Sequence, residues 1–171
     1  MTVSTIRRTV FVLALLAACG CAESRAPRTA SGGRPGAPSV LSVLREHDSQ
    51  ASWDAESQIS ADLDQDGVAD YALRGLRKDR VVVGIVEGPL AAKSRAWVLD
   101  FPWGKGTQDS LCSAQTKIEL EDLDDSALAG AKATAAQGTR KGKGISLSDD
   151  RCDAFHIYWS PEDHKFEWWR L

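Results

Sequence analysis

Between residues 59 and 73 the chain reads ISADLDQDGVADYAL, with four aspartates set around one glycine and apolar residues on either side. Like charges crowded so closely repel, and the pattern makes sense if they share a bound cation; the alternative is a solvated acidic turn. Asp62, Asp64 and Asp66 stand at positions 1, 3 and 5 of the loop, where alternate residues face one side and converge their carboxylates. Gly67 at position 6 permits a sharp reversal with positive φ. Val68 at position 7 would offer its backbone carbonyl, and Asp70 at position 9 a further carboxylate, directly or through water. Hard oxygen donors in this number suit Ca²⁺ rather than Zn²⁺ or copper.

The first half of the loop has the D-x-D-x-D-G opening of an EF-hand, but the second half departs from it. An EF-hand places a bidentate Glu at position 12, and position 12 here is Leu73. The flanks, QIS and DYALRG, are also strand-like. The spacing D-x-D-x-D-G-x-x-D, followed by the aromatic Tyr71, resembles the calcium loop of FG-GAP and VCBS-type repeats, the family of integrin α-subunit propellers. That resemblance implies Asp62, Asp64, Asp66, the Val68 carbonyl and Asp70 as ligands on a connection between antiparallel strands. A propeller needs several such repeats, and there is no second copy: EDLDDS at 121–126 lacks both the glycine and the spacing. The chain is therefore expected to use one such loop as a staple, not to form a full propeller. Nothing beside the loop offers a base or nucleophile, the nearest titratable residues being Arg74, Arg77 and Lys78. A structural ion is expected, not a catalytic one.

The N-terminus reads as an export signal. Arg7 and Arg8 precede an apolar stretch, TVFVLALLAA at 9–18, too short for a membrane span. LLAAC then resembles a bacterial lipobox, which implies cleavage after residue 18 and acylation of Cys19. Cys21 is left for a second acylation or an intermolecular thiol. Residues 19–38 are rich in Pro, Gly, Ser and Arg, with almost nothing to bury, and read as the anchor and a flexible tether. In an oxidising compartment Cys112 and Cys152 are expected to pair. Residues 1–38 carry five arginines and one glutamate, +4 against a whole-chain charge of −3, which leaves −7 on 39–171. That acidic balance argues against nucleic acid as a partner. The expected setting is the bacterial cell envelope, with the body in the periplasm or at the cell surface. Gly20 stands where a retention aspartate would hold the lipid in the inner membrane, favouring the outer one.

The remaining 39–171 is long enough for one domain. SVLSVLREH at 39–47 predicts a short helix with Ser39 as N-cap and with Val40, Val43, Leu44 and His47 on one face. Strands are expected at 57–61, 68–76, 80–88, 94–101, 114–123, 144–148, 152–160 and 165–171, with a hairpin through 77–79. In 94–101, Ala96, Val98 and Asp100 alternate with Trp97, Leu99 and Phe101; in 114–123, Thr116, Ile118 and Leu120 alternate with Lys117, Glu119 and Glu121. DDSALAGAKATAAQG at 124–138 reads as either a helix or a surface loop. The fold expected is α+β, mostly β: one antiparallel sheet, a short N-terminal helix, one calcium hairpin and one disulfide.

His47, His156 and His164 lack metal-ligand spacing, and His156 reads as a satisfied strand histidine. The six tryptophans, Trp53, Trp97, Trp103, Trp159, Trp168 and Trp169, pose a sharper question. In KFEWWRL, Phe166 and Trp168 share one face while Glu167 and Trp169 share the other, so an aromatic must meet solvent or a second layer. Core packing under the 39–47 helix is the first reading; a platform for glycan or peptidoglycan built on Trp97 and Trp169 is the alternative. A hydrolase would need paired carboxylates, for which Asp149, Asp150 and Asp153 are the candidates. The leading expectation is a non-enzymatic envelope protein with a binding or structural role, its partner an envelope protein or glycan.

Overall fold

The computed structural model describes residues 38–123 and 142–170. The expected export segment, Cys19, Cys21, nearly all of the expected tether and the 124–138 stretch lie outside the described residues. The expected helix is α1, Val40–His47. Ser39 Oγ accepts the Ser42 N–H at 3.1 Å and Ser42 Oγ accepts the Ser39 N–H at 2.9 Å, so each serine caps a donor left open by the first turn. Val40, Val43 and Leu44 are buried, as their spacing requires, whereas His47 is exposed.

Among the described residues eight strands follow, in two four-stranded sheets instead of the single sheet expected. β1 (Ser52–Ala61), β2 (Asp70–Arg77), β3 (Arg80–Val86) and β4 (Ala96–Pro102) form one antiparallel meander. β5 (Lys117–Leu123), β6 (Gly142–Ser148), β7 (Phe155–Ser160) and β8 (Lys165–Arg170) form the other. Two sheets are needed because β3, RVVVGIV, is apolar on both faces and buried on both. One layer of cover cannot bury both faces of a sheet. After β4 the chain closes a loop on itself, with Leu111 N–H on Pro102 O and Gly104 N–H on Leu111 O, both at 2.8 Å. It then enters the second layer without pairing β4 to β5.

The two layers meet through Ala72, Val81, Val83, Ile85 and Phe101 from one sheet and Ile118, Ile145, Leu147, Phe155 and Ile157 from the other. Phe101 and Phe155 rings lie 4.8 Å apart across this seam. In β4 the alternation holds: Trp97 and Leu99 join Phe101 in the seam, while Ala96 and Val98 face α1. Asp100 is exposed and accepts from both Arg77 and Arg80. The helix covers the opposite face of the first sheet, seating Val40, Val43 and Leu44 on Trp53, Leu73, Val82 and Val86. It does not cover the tryptophans of β8, contrary to expectation. Gly84 makes this approach possible, since a Cβ there would stand 2.6 Å from Leu44 Cδ2 and 2.7 Å from Trp53.

β5 corrects a second expectation. Ile118 enters the seam, but Leu120 is 40% exposed on this edge strand, and the other buried residue is Leu123. Cys112 and Cys152 are bonded, with Cα atoms 5.9 Å apart, as expected. The turn between β2 and β3 is the predicted hairpin: Arg77 pairs with Arg80 across Lys78 and Asp79.

Candidate metal centre

The acidic loop spans residues 62–69, between the end of β1 and the start of β2. Leu63 is its anchor: buried in the inter-sheet seam, it turns Asp62 and Asp64 toward the other side of the chain. The rest of the loop is folded by its own carboxylates. Asp62 Oδ2 accepts the Gly67 N–H at 3.1 Å, Asp64 Oδ1 the Asp66 N–H at 3.1 Å, and Asp66 Oδ1 the Val68 N–H at 2.7 Å. Gly67 has the predicted positive φ of 90°, and Gln65 also sits in the left-handed region at 65°. A left-handed non-glycine costs about 1 kcal/mol or more. The Gln65 side chain lies where a Cβ on Gly142 of β6 would meet it at 2.7 Å, so the loop also touches the second sheet.

Of the five expected ligands, the structure gathers three side chains. Carboxylate oxygens of Asp62, Asp64 and Asp70 all lie within 4.8 Å of one another. Asp66 is not in this group; it is exposed, and one of its oxygens is spent on the Val68 turn. Val68 is exposed as well. Asp70 is 1% exposed and serves the loop twice over. Its Oδ2 accepts the N–H groups of Leu63 at 2.9 Å and Asp64 at 3.2 Å, and its Oδ1 accepts the Gly88 N–H at 3.0 Å. Gly88 and Leu63 are thus site residues that the sequence reading missed. The available signal was a glycine immediately before a proline at the end of β3, where the chain must pass close to other backbone.

The electrostatics are those of a site short of positive charge. Burial and then the charge on Asp70 push the Asp64 carboxyl up to about 6, against the pull of the Asp66 N–H, with Asp66 and Glu87 adding to the rise. Burial also raises Asp70, although the N–H groups of Gly88, Leu63 and Asp64 oppose it. Among the described residues no Arg or Lys forms an ion pair with Asp62, Asp64, Asp66 or Asp70. Asp62 Oδ1 is buried without a hydrogen-bond partner. A buried carboxylate oxygen with no donor is costly, and a hard cation among three carboxylates would relieve it. The donor set therefore fits a divalent cation taking oxygen ligands.

The other candidates serve the fold. Asp149 is buried where the disulfide loops meet and accepts from Cys152 at 2.9 Å, Arg151 at 3.0 Å and Ser113 at 2.8 Å. Burial pushes its carboxyl up, but these N–H groups outweigh that and hold it below the usual range. Asp150 pairs with Lys117 at 3.2 Å, and Asp153 is exposed. His156 is the satisfied strand histidine expected, with Nδ1 2.8 Å from Glu121 Oε2 and its ring stacked on Trp169 at 4.8 Å. Trp169 is buried, and Trp97 is half-buried between Trp159 and Phe166 with the Arg95 guanidinium 4.2 Å over its ring. Of the six tryptophans only Trp168 is exposed, at 40%, so Trp97 and Trp169 form no open platform. Compared with known families, curated proteins and solved structures, the chain matches no family model, no curated protein and no solved structure.

Proposed function

We propose that this chain is a lipid-anchored protein of the bacterial cell envelope whose β-rich domain is stapled by Ca²⁺ and serves a binding or structural role without catalysis. The observation that carries the reading is the convergence of Asp62, Asp64 and Asp70, together with an Asp62 Oδ1 that is buried and unpartnered. Asp62, Asp64 and Asp70 would hold the ion, and Asp66 and the Val68 carbonyl complete the set that the FG-GAP and VCBS resemblance implies. When bound, the ion would offset part of the loop's negative charge and tie the end of β1 to the start of β2. Each sheet is a four-stranded meander like a propeller blade, but two are fewer than a propeller ring requires. The lipid anchor rests on the lipobox-like LLAAC, which places Cys19 as the acylated residue.

Extracellular sites of this type bind at about 10⁻⁴ to 10⁻³ M. At ~1 mM calcium and a Kd of ~0.1 mM, occupancy stabilises the folded state by about 1.4 kcal/mol. The test is thermal melting of the chain across a calcium titration, alongside Asp64→Ala. A saturable rise in Tm that the variant lacks supports the site. An absent rise, or an equal rise in both proteins, refutes it. Mass spectrometry of the membrane-extracted protein, with Cys19→Ala beside it, tests the anchor separately.

A further inference from the structure

We infer that the cleft where β2 meets the open end of the β5–β6 hairpin binds a small neutral saccharide through Arg74, Thr116, Lys117, Ser148 and Asp150. This goes beyond the calcium reading and does not rest on it. The cleft has a volume of about 360 Å³ and is lined by these five residues and Gln115, every one of them polar. That volume lies at the lower end of small-molecule sites, which ordinarily have mostly apolar walls. By area the wall is divided between the polar ends of these side chains and their aliphatic stems. It suits a ligand that combines hydrogen-bonding groups with apolar C–H surface.

The charges then choose between an anion and a neutral ligand. Arg74 gives its guanidinium to Asp54 Oδ2 at 2.6 Å, and Lys117 lies 3.2 Å from Asp150 and 3.6 Å from Glu119. Both cations already have carboxylate partners, so an anion would have to displace or approach those carboxylates. A hydroxyl does neither: it accepts from a guanidinium or ammonium and donates to a carboxylate in the same plane of contacts. Vicinal hydroxyls on a sugar ring match such side-by-side donors and acceptors.

The cleft is also built in advance of any ligand. Between Asp54 and Ile59 the register of β1 against β2 shifts. Within this bulge the Ser57 hydroxyl replaces a strand carbonyl as acceptor for the Arg74 N–H, at 2.9 Å. Bulges recur where a side chain must be re-aimed, and this one brings Asp54 and Ser57 to opposite ends of Arg74. Across the cleft Asp150 holds a left-handed φ of 56°, with its N–H on Ser148 Oγ at 3.1 Å. Thr116 Oγ1 is buried without a hydrogen-bond partner. Groups fixed beforehand lose little freedom on binding.

The experiment is an amide NMR titration of the full chain, in detergent with saturating calcium, using maltose, lactose and chitobiose, with sodium phosphate, added to a calcium-free sample, as the anionic comparator. At least one disaccharide should shift the amides of Thr116, Lys117 and Asp150 saturably, with a Kd of about 1 mM. Asp150→Asn should weaken that binding about tenfold, the loss of one charge-assisted hydrogen bond. Should that variant not fold, Ser148→Ala supplies the same comparison. Saturation by phosphate and by no sugar makes this an anion site and overturns the inference. No saturation by any disaccharide up to about 50 mM overturns it as well. The cleft shares no residue with the 62–70 loop, so a failed calcium titration and a failed sugar titration are separate results.

Discussion

Gly88→Ala tests the architecture of the acidic loop without touching a carboxylate. A Cβ at this position would stand 2.1 Å from the Ala69 carbonyl oxygen and 3.0 Å from Val68 Cγ1. The first of these contacts is with backbone, so no side-chain rotation relieves it. Either the end of β3 or the loop must withdraw by about 1 Å, enough to break the Gly88 N–H bond to Asp70 Oδ1, now 3.0 Å long. That leaves a buried carboxylate oxygen with one donor fewer, at about 1–3 kcal/mol or more. The displaced packing adds a comparable cost. Together these give about 3–5 kcal/mol, or a Tm lower by roughly 10 °C or more for a domain of this size. Gly67→Ala is the natural control. Nothing lies within 4 Å of its added Cβ, but φ is +90°, so it loses only the backbone preference, roughly 1–2 kcal/mol. Differential scanning calorimetry of the three proteins, each in calcium and in chelator, reads both numbers. Gly88→Ala melting within about 2 °C of the wild type, with an unchanged calcium response, would refute the idea that Asp70 needs the end of β3.

Two further outcomes follow from the same structure. In chelator, Asp64 is easier to protonate in the folded chain than in the unfolded one, its carboxyl standing at about 6 against an ordinary 3.8. Its contribution is therefore fully present below pH ~4 and lost as pH rises through ~6. The Tm of Asp64→Asn minus that of the wild type should grow from pH 4 to pH 7 in chelator, and a flat difference would count against the buried, crowded carboxylate. Reducing Cys112–Cys152 reopens a sequence separation of 40 residues and should cost about 4 kcal/mol in the chain-entropy account. A Cys112→Ser, Cys152→Ser double variant compared by urea denaturation checks this, and an unchanged midpoint would contradict it.

Local features were legible in the sequence because their causes are local. Ser39 before an i, i+3, i+4 apolar set is enough to mark α1, and two residues between alternating runs are enough to mark the β2–β3 turn. The two faces of β4 were also readable, since period-2 alternation needs no knowledge of the partner. What covers each face was not. RVVVGIV announces a strand buried on both sides, but nothing in it says that one side meets a helix and the other a second sheet. Leu120 shows the same limit: it takes the same alternate positions as Ile118, yet it is 40% exposed on an edge strand. At the acidic loop, spacing identified the carboxylates but not how each is employed. Asp66 is turned to the Val68 N–H by a bond two residues away, and Asp70 depends on Gly88, eighteen residues further along the chain.

That dependence on Gly88 makes the loop a property of three strands. A fragment ending at the β2–β3 turn would keep all four aspartates and lose the donor that fixes the most buried of them. Grafting residues 59–73 onto another hairpin would carry over the charges without the arrangement that makes them converge. Conversely, if the proposed cation binds here, strain applied to the end of β3 would change its affinity, since both act on the same carboxylate. Occupancy of the proposed site would then register whether the first sheet is intact, and not merely whether the hairpin has closed.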